Sequence, residues 1–271
     1  MFPSFTLFGK TIEMYPLTAA AGAILTLLFA DRLARKQGVH AFYMIEFLLW
    51  SATGVLIGSH LLYGLIHWEE IRFTVRHIGQ ILSSGNLLPY LIAIFGGSVF
   101  YGGLLGGMAA GLLFLKRKPD YDRVLFLDIA ACSIPLFHSV ARIGCFLAGC
   151  CYGAECSFGI TFRRSLIPGA NGVNRFPVQL AEALSELLLF FFLYTLYQRK
   201  KEKGRLLALY LLLYGIARFF LEFLRGDDDL RKIFFGLSTS QWIAVLTAGA
   251  ALVFLFRSRT KKQRASCPVR L

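Results

Sequence analysis

The chain has 271 residues, 56% of them hydrophobic, 15% aromatic and only 17% charged, with a formal net charge of +13. That composition and a mean hydropathy of +0.59 exclude an ordinary soluble domain and fit a polytopic helical membrane protein. The Lys and Arg residues sit in short clusters between apolar runs, which is the pattern of membrane topology, so no nucleic-acid partner is expected.

The residues before the first apolar run include Lys10 and Glu13 and lack a basic start, so no cleavable leader is expected. Seven apolar segments then follow, each read as a crossing of a hydrocarbon core that takes about 20 residues. They cover approximately residues 16–30, 41–66, 90–115, 124–150, 178–197, 206–224 and 239–256. Between the second and third, "EEIRFTVRHIGQILSS" spaces Ile71, Val75, Ile78 and Leu82 as one helical face, with Glu70, Arg72, Arg76 and His77 around it. That pattern reads as an amphipathic arm lying in the membrane interface, with a solvated loop helix as the alternative. Basic residues are about twice as numerous in one set of connections as in the other, so the N-terminus is expected outside and the C-terminus in the cytoplasm. The expected fold is all-α: one membrane-embedded domain over residues 1–271, with seven transmembrane helices and an interfacial arm.

An ionisable group inside a span costs at least ~2.5–3.5 kcal/mol on insertion scales, so each one calls for a partner or a function. Arg142 lies near the outer end of the fourth segment, and Arg218 is twelve residues into the sixth, about 18 Å deep at 1.5 Å per residue. Glu222 follows Arg218 by one turn, and Arg225 caps that end. Glu182 and Glu186 fall in the same half of the fifth segment, His60 in the second, His138 in the fourth and Tyr101 in the third. Groups from five helices thus share one half of the bilayer.

Arg218 and Glu222 at i, i+4 can neutralise one another. Arg142 has no acidic residue at helical spacing on its own segment, so its partner comes from another helix or from an anionic ligand, which the planar guanidinium fork suits. A histidine in a span serves either as an interhelical hydrogen bonder or as a proton acceptor. Gly103, Gly107 and Gly111, with Gly102 and Gly106, repeat every four residues and allow close helix packing or admit a lipid beside the backbone. Cys145, Cys150, Cys151 and Cys156 cluster at the outer end of the fourth segment without a C-x-x-C pair, so no metal is expected. Facing an oxidising compartment, Cys150, Cys151 and Cys156 are able to form a disulfide that pins the loop, and structural use of the cluster is the default reading.

With these residues placed, the sequence resembles the prolipoprotein diacylglyceryl transferase family over nearly all of its apolar segments. "ARIGCFLAGCCYG" resembles the family's Gly-Arg-x-Gly-Asn-Phe signature through Arg142, Gly144 and Gly153, with Cys145 where the family has asparagine. "FYGGLLGG" resembles His-Gly-Gly-Leu, with Tyr101 in the histidine position before Gly102 and Gly103. "NRFPVQLAEAL" matches Arg-His-Pro-Ser-Gln-Leu-Tyr-Glu at Arg175, Pro177, Gln179 and Glu182. "LYGIARFFLEFLRGDD" matches the family's second arginine stretch at Tyr214, Gly215, Arg218, Glu222 and Arg225. "EMYPL" sets Tyr15 on an early family tyrosine, and Gly58-Ser59-His60 stands where the family has Gly-Gly-Arg.

The resemblance implies an inner-membrane enzyme that moves the diacylglyceryl group of phosphatidylglycerol to the lipobox thiol of a lipoprotein precursor, presented on its signal peptide. It implies no dissociable cofactor. Arg142 and Arg218 would stabilise the departing phosphate; from its place one turn before Arg142, His138 is read as the proton acceptor, with His60 as the runner-up and Tyr101 a hydrogen-bond donor. Tyr15, His60, Gly102, Gly103, Cys145, Gly153, Glu182, Glu222 and Arg225 would complete the substrate site. A phospholipid-binding or transport protein and a membrane thiol oxidoreductase are the competing classes; inverted repeats would mark a transporter and a C-x-x-C pair an oxidoreductase.

Overall fold

The computed structural model of the chain describes residues 2–97, 99–165, 167–227 and 233–266. It opens with strands β1 (Ser4–Leu7) and β2 (Lys10–Glu13), followed by α1 (Met14–Lys36), α2 (Ala41–Ile66), α3 (Trp68–Arg76), α4 (Ile78–Ser83), α5 (Leu87–Phe95) and α6 (Phe100–Arg117). Then come α7 (Arg123–Ala148), β3 (Glu155–Thr161), β4 (Asn174–Arg175), α8 (Val178–Gln198) and α9 (Leu206–Leu221). A 3-10 turn (Glu222–Leu224), β5 (Ile233–Phe234), β6 (Leu237–Ser238) and α10 (Thr239–Ser266) complete the order. The residues group into two compact units, one formed up to Leu33 and from Val124 onward, the other by Ala34–Arg123.

Among the described residues, six helices are long and apolar enough to cross a membrane: α1, α2, α7, α8, α9 with its 3-10 turn, and α10. The third expected crossing, residues 90–115, is instead two helices, because α5 ends at Phe95 and α6 begins at Phe100. Gly96 and Gly97 supply no side chain to hold a helix there, and Val99 is extended at φ −116° and ψ 121°. Backbone groups of Phe95, Gly97 and Val99 at the break meet α2. The Val99 amide donates to the Ser59 carbonyl at 3.2 Å, and His60 Nδ1 lies 2.7 Å from the Phe95 carbonyl and 2.8 Å from that of Gly97. Hydropathy registers the apolar run but not the break within it.

In the smaller unit α2 and α6 pack backbone against backbone. A Cβ on Gly58 would lie 2.2 Å from the Gly102 carbonyl oxygen, and one on Gly102 equally close to that of Gly58. Gly54 and Gly106 repeat the contact one turn away. Small residues at this spacing let two helices meet where lipid offers no hydrophobic drive of its own.

In the larger unit α8 buries a helical stripe, Val178, Gln179, Glu182, Ala183, Glu186, Phe190 and Leu193, and exposes Leu184, Leu188, Phe191 and Phe192. A helix apolar on its exposed face and polar at its buried one is the inverse of a soluble helix and suits a lipid solvent. Buried Ser139 of α7 donates to the Ala183 carbonyl at 2.9 Å, fixing α7 against α8. Asp128 of α7 accepts from the Gly204 amide at 2.7 Å and the Leu206 amide at 3.3 Å. It thereby places an anion on the otherwise unsatisfied N-terminus of α9.

Past α7 three short segments zip together by backbone hydrogen bonds. The Ala154 amide donates to the Leu224 carbonyl at 2.9 Å, the Phe176 amide to that of Ala154 at 2.9 Å, and the Gly226 amide to that of Tyr152 at 3.0 Å. Gly153 sits at the crossing, where a Cβ would be 2.1 Å from the Phe176 carbonyl oxygen. A small core of Tyr152, Phe162 and Ala170 lies beneath, and the Arg175 guanidinium stacks 4.4 Å from the Tyr152 ring centroid.

Candidate active site

Within the larger unit, α7, α8 and α9 each contribute charged side chains to one cleft, lined by His138, Arg142, Glu182, Glu186, Tyr214 and Arg218 among others. Glu182 is at its centre and only 4% exposed. Arg142 Nε lies 2.9 Å from Glu182 Oε2, and Arg218 Nη1 donates to Glu182 Oε1. Arg218 Nη2 is 2.6 Å from Glu222 Oε2, and Glu222 Oε1 accepts from Ser238 Oγ at 2.8 Å. The i, i+4 pairing expected for Arg218 and Glu222 is present. The partner of Arg142, which its own helix does not supply, is Glu182 of α8.

His138 lies one turn before Arg142 and makes two distinct contacts. Its Nδ1 is 3.0 Å from Glu186 Oε1, and its Nε2 accepts from Arg142 Nε–H at 3.3 Å. That pair of contacts assigns the neutral tautomer with the proton on Nδ1. Tyr214 meets the imidazole edge-on at 5.5 Å. Glu186 and Tyr214 thus belong to the cleft, although sequence reasoning gives neither a role in catalysis or binding. The signal for Glu186 is its place one turn after Glu182 on a buried stripe.

Around the cleft, Arg225 is held by Asp227, with Nε 2.9 Å from Oδ1 and Nη2 donating to Oδ2. Gly144 admits α1: a Cβ there would be 2.0 Å from Thr18 Oγ1 and 3.4 Å from the Tyr15 ring. Gly153 pairs with Arg225 through a backbone bridge. Gln179, fully buried, donates its Nε2–H to the Cys150 carbonyl at 2.8 Å.

Among the described residues the disulfide open to Cys150, Cys151 and Cys156 is not formed. Cys145, Cys150 and Cys151 carry free thiols with sulfurs all within 4.8 Å of one another, while Cys156, also a free thiol, lies in β3. The cause is local backbone geometry. Gly149 ends α7 at φ 76° with its amide on the Cys145 carbonyl at 2.9 Å, and Cys151 adopts φ 55°, so the chain doubles back over the helix end. Hydrogen bonds from the Cys145 and Cys150 thiols hold the Cys151 thiol well below the usual range, and the charges of Arg225 and Arg142 act in the same direction.

His60, Gly102 and Gly103 belong to the smaller unit. His60 clasps the α5–α6 break, Gly102 is taken up by packing against Gly58, and Gly103 faces Val55. Tyr101 is the second residue of α6, and its side chain lies outside the described residues.

Residues 3–257 match the family model for prolipoprotein diacylglyceryl transferase. Among curated relatives, the phosphatidylglycerol–prolipoprotein diacylglyceryl transferase of Clostridium tetani (strain Massachusetts / E88) is 33% identical over 262 residues, covering 96% of this chain and 98% of the relative. The protein named phosphatidylglycerol–prolipoprotein diacylglyceryl transferase 2 of Clostridium perfringens (strain 13 / Type A) is 31% identical over 262 residues, covering 95% and 96%. A relative of the same name as the first in Finegoldia magna (strain ATCC 29328 / DSM 20472 / WAL 2508) is 28% identical over 265 residues, covering 96% and 97%. With a family match spanning the helices that build the cleft, the chain belongs to the prolipoprotein diacylglyceryl transferase family.

Proposed function

We propose that this chain transfers the diacylglyceryl group of phosphatidylglycerol to the lipobox cysteine thiol of a lipoprotein precursor and releases glycerol phosphate. The observation that carries the reading is the convergence of Arg142 and Arg218, from two helices, on the single carboxylate of Glu182. Among the described residues the Nη groups of Arg142 donate to no protein acceptor, so that guanidinium keeps a pair of donors for a phosphate while Glu182 fixes its Nε edge.

The reaction makes a C–S bond and breaks the C–O bond between the diacylglyceryl carbon and phosphate. The thiol, with an ordinary pKa of about 8.5, must lose its proton before it attacks. Once the Arg142 Nε–H turns wholly to Glu182 Oε2 and frees the imidazole lone pair, neutral His138 can accept that proton at Nε2, because Glu186 at Nδ1 holds the ring and stabilises the imidazolium that forms. Negative charge then grows on the departing phosphate, where two fixed guanidiniums stabilise it more than they stabilise the bound diester. Tyr101 is assigned a hydrogen bond to the lipid rather than the role of base, since an unperturbed phenol is mostly protonated at neutral pH.

The broader reading is a single transferase domain in the bacterial inner membrane, with its N-terminus outside and its C-terminus cytoplasmic. The seventh crossing is formed jointly by α5 and α6. The α3–α4 segment is the interfacial arm: Val75, Ile78 and Leu82 are exposed apolar groups beside Arg72 and Arg76, which suits a helix half-sunk in headgroups. Phosphatidylglycerol enters from the bilayer, and the precursor presents its thiol on a membrane-inserted signal peptide.

The test is mass analysis of a lipobox peptide incubated with the purified protein and phosphatidylglycerol vesicles. The expected result is a gain of one diacylglyceryl group on the cysteine together with free glycerol phosphate. Bound phospholipid with an unmodified peptide would replace this reading with a binding or transport role.

A further inference from the structure

The thiols of Cys145, Cys150 and Cys151 are not used by the chemistry just described, yet they face one another at the end of the helix that carries His138 and Arg142. Their sulfurs lie within 4.8 Å of one another, whereas sulfurs on a common zinc ion at about 2.3 Å are separated by about 3.8 Å. Closing that gap takes about 1 Å of side-chain movement. The group lacks the usual C-x-x-C spacing because the turn is made by two left-handed residues, Gly149 and Cys151, at φ 76° and 55°. For a residue with a Cβ, such a conformation costs of order 1–3 kcal/mol and persists only where its surroundings fix it. Here the Gln179 amide, itself fully buried, holds the Cys150 carbonyl at 2.8 Å. A disulfide would pair two of the three sulfurs and strand the third, and the adjacent pair Cys150–Cys151 could close only as a strained ring.

We propose that Cys145, Cys150 and Cys151 form a three-thiolate site for a soft divalent ion of the zinc class, whose fourth position is open to the acceptor's cysteine thiol. The inference rests on the transfer reading above and deepens it. Three thiolates and one divalent cation carry a net negative charge, and the charges of Arg225 and Arg142 act favourably on the Cys151 sulfur. An ion with three protein ligands and one open position is the arrangement of a catalytic rather than a structural zinc site. A thiol that coordinates zinc is deprotonated outright but remains a nucleophile.

In the proposed step the acceptor's S–H proton is lost on coordination and passes to His138. The metal-bound thiolate then attacks the diacylglyceryl carbon, the C–S bond forms as the C–O bond to phosphate breaks, and the electron pair leaves with glycerol phosphate. The thioether product is a weak ligand and departs from the ion. No oxidant or reductant is required, and the ion is regenerated.

The test uses the reduced full-length protein in detergent, titrated with cobalt(II) as a spectroscopic stand-in for zinc. One equivalent should give a thiolate-to-cobalt charge-transfer band and protect these three cysteines from alkylation, as read by peptide mass. Each of Cys145→Ser, Cys150→Ser and Cys151→Ser should weaken binding at least about tenfold. If a variant fails to fold, the parent's alkylation footprint decides between the outcomes. Absence of the band, or protection of other residues, would overturn the site. A lipobox peptide should then shift the ligand-field bands and its cysteine-to-serine analogue should not; identical spectra would overturn the open-position role. Stripping the ion should slow diacylglyceryl transfer by at least about tenfold, restored by zinc. Transfer that persists undiminished in metal-free protein would sink the inference and leave the proposed function standing. Metal and peptide binding without any transfer would do the reverse to the function.

Discussion

Glu182 meets one guanidinium at each carboxylate oxygen, so in the proposed reaction an arriving phosphate must share or displace that carboxylate. Lysine at Arg142 or Arg218 keeps the charge but loses the fork that can bind carboxylate and phosphate together. Arg142→Lys and Arg218→Lys should each lower diacylglyceryl transfer by about 10²-fold or more while thermal unfolding changes little. Full activity in both would remove the phosphate-clamp role. The two histidines should separate by readout. His138→Ala should abolish most turnover, on the order of 10²–10⁴-fold for a lost proton acceptor, with phosphatidylglycerol affinity retained. His60→Ala should act mainly on stability, because its ring satisfies the carbonyls of Phe95 and Gly97, and Tyr101→Phe should be milder than either arginine change. Equal loss of turnover in the two histidine variants would argue against His138 as base. Part of this was legible in the sequence: Arg218 and Glu222 announce their pairing by a four-residue spacing. The Arg142–Glu182 contact was not, because spacing along one helix carries no information about which residue of another helix will face it.

At the scale of elements, the α2–α6 contact is the most constrained in the smaller unit, since facing carbonyls occupy the space where side chains would begin. Gly58→Ala and Gly102→Ala should each reduce the yield of folded protein, with a stability loss of at least about 1–3 kcal/mol from overpacking. Gly79 is the control: a Cβ there would meet nothing within 4 Å, and Gly79→Ala in α4 should be neutral or stabilise by about 0.5–1 kcal/mol. Unfolding curves of the three variants in detergent decide the matter; equal behaviour would mean that the helices do not rely on their close approach. The sequence indicated α2 to the residue, because a helix of uniform apolar character runs from its His40 cap to the polar segment that follows. It did not reveal the interruption between α5 and α6. Two glycines in an apolar run read equally well as packing residues in an unbroken helix, and only the carbonyls caught by His60 distinguish the two.

For the whole molecule, charge asymmetry makes the sharpest statement. A reporter fused after Arg264 should behave as cytoplasmic and one inserted between Arg163 and Arg175 as external; both on one side would separate the charged groups that the orientation places in one leaflet. Among the described residues the cleft draws on α7, α8 and α9, so its assembly is a matter of when those helices become available to each other. The backbone zipper over their ends joins residues 152–154, 175–176 and 224–226, which are far apart in the chain. During synthesis the first of these emerges with nothing to bind, the second offers one partner, and the third closes the set. Until Arg218 has been made Glu182 faces one arginine instead of two, and until Leu224 has been made the Ala154 amide lacks its carbonyl acceptor. The enzyme would therefore remain inactive for most of its elongation on the ribosome, and phospholipid held by a half-built cleft would have no fixed cation pair to act on it.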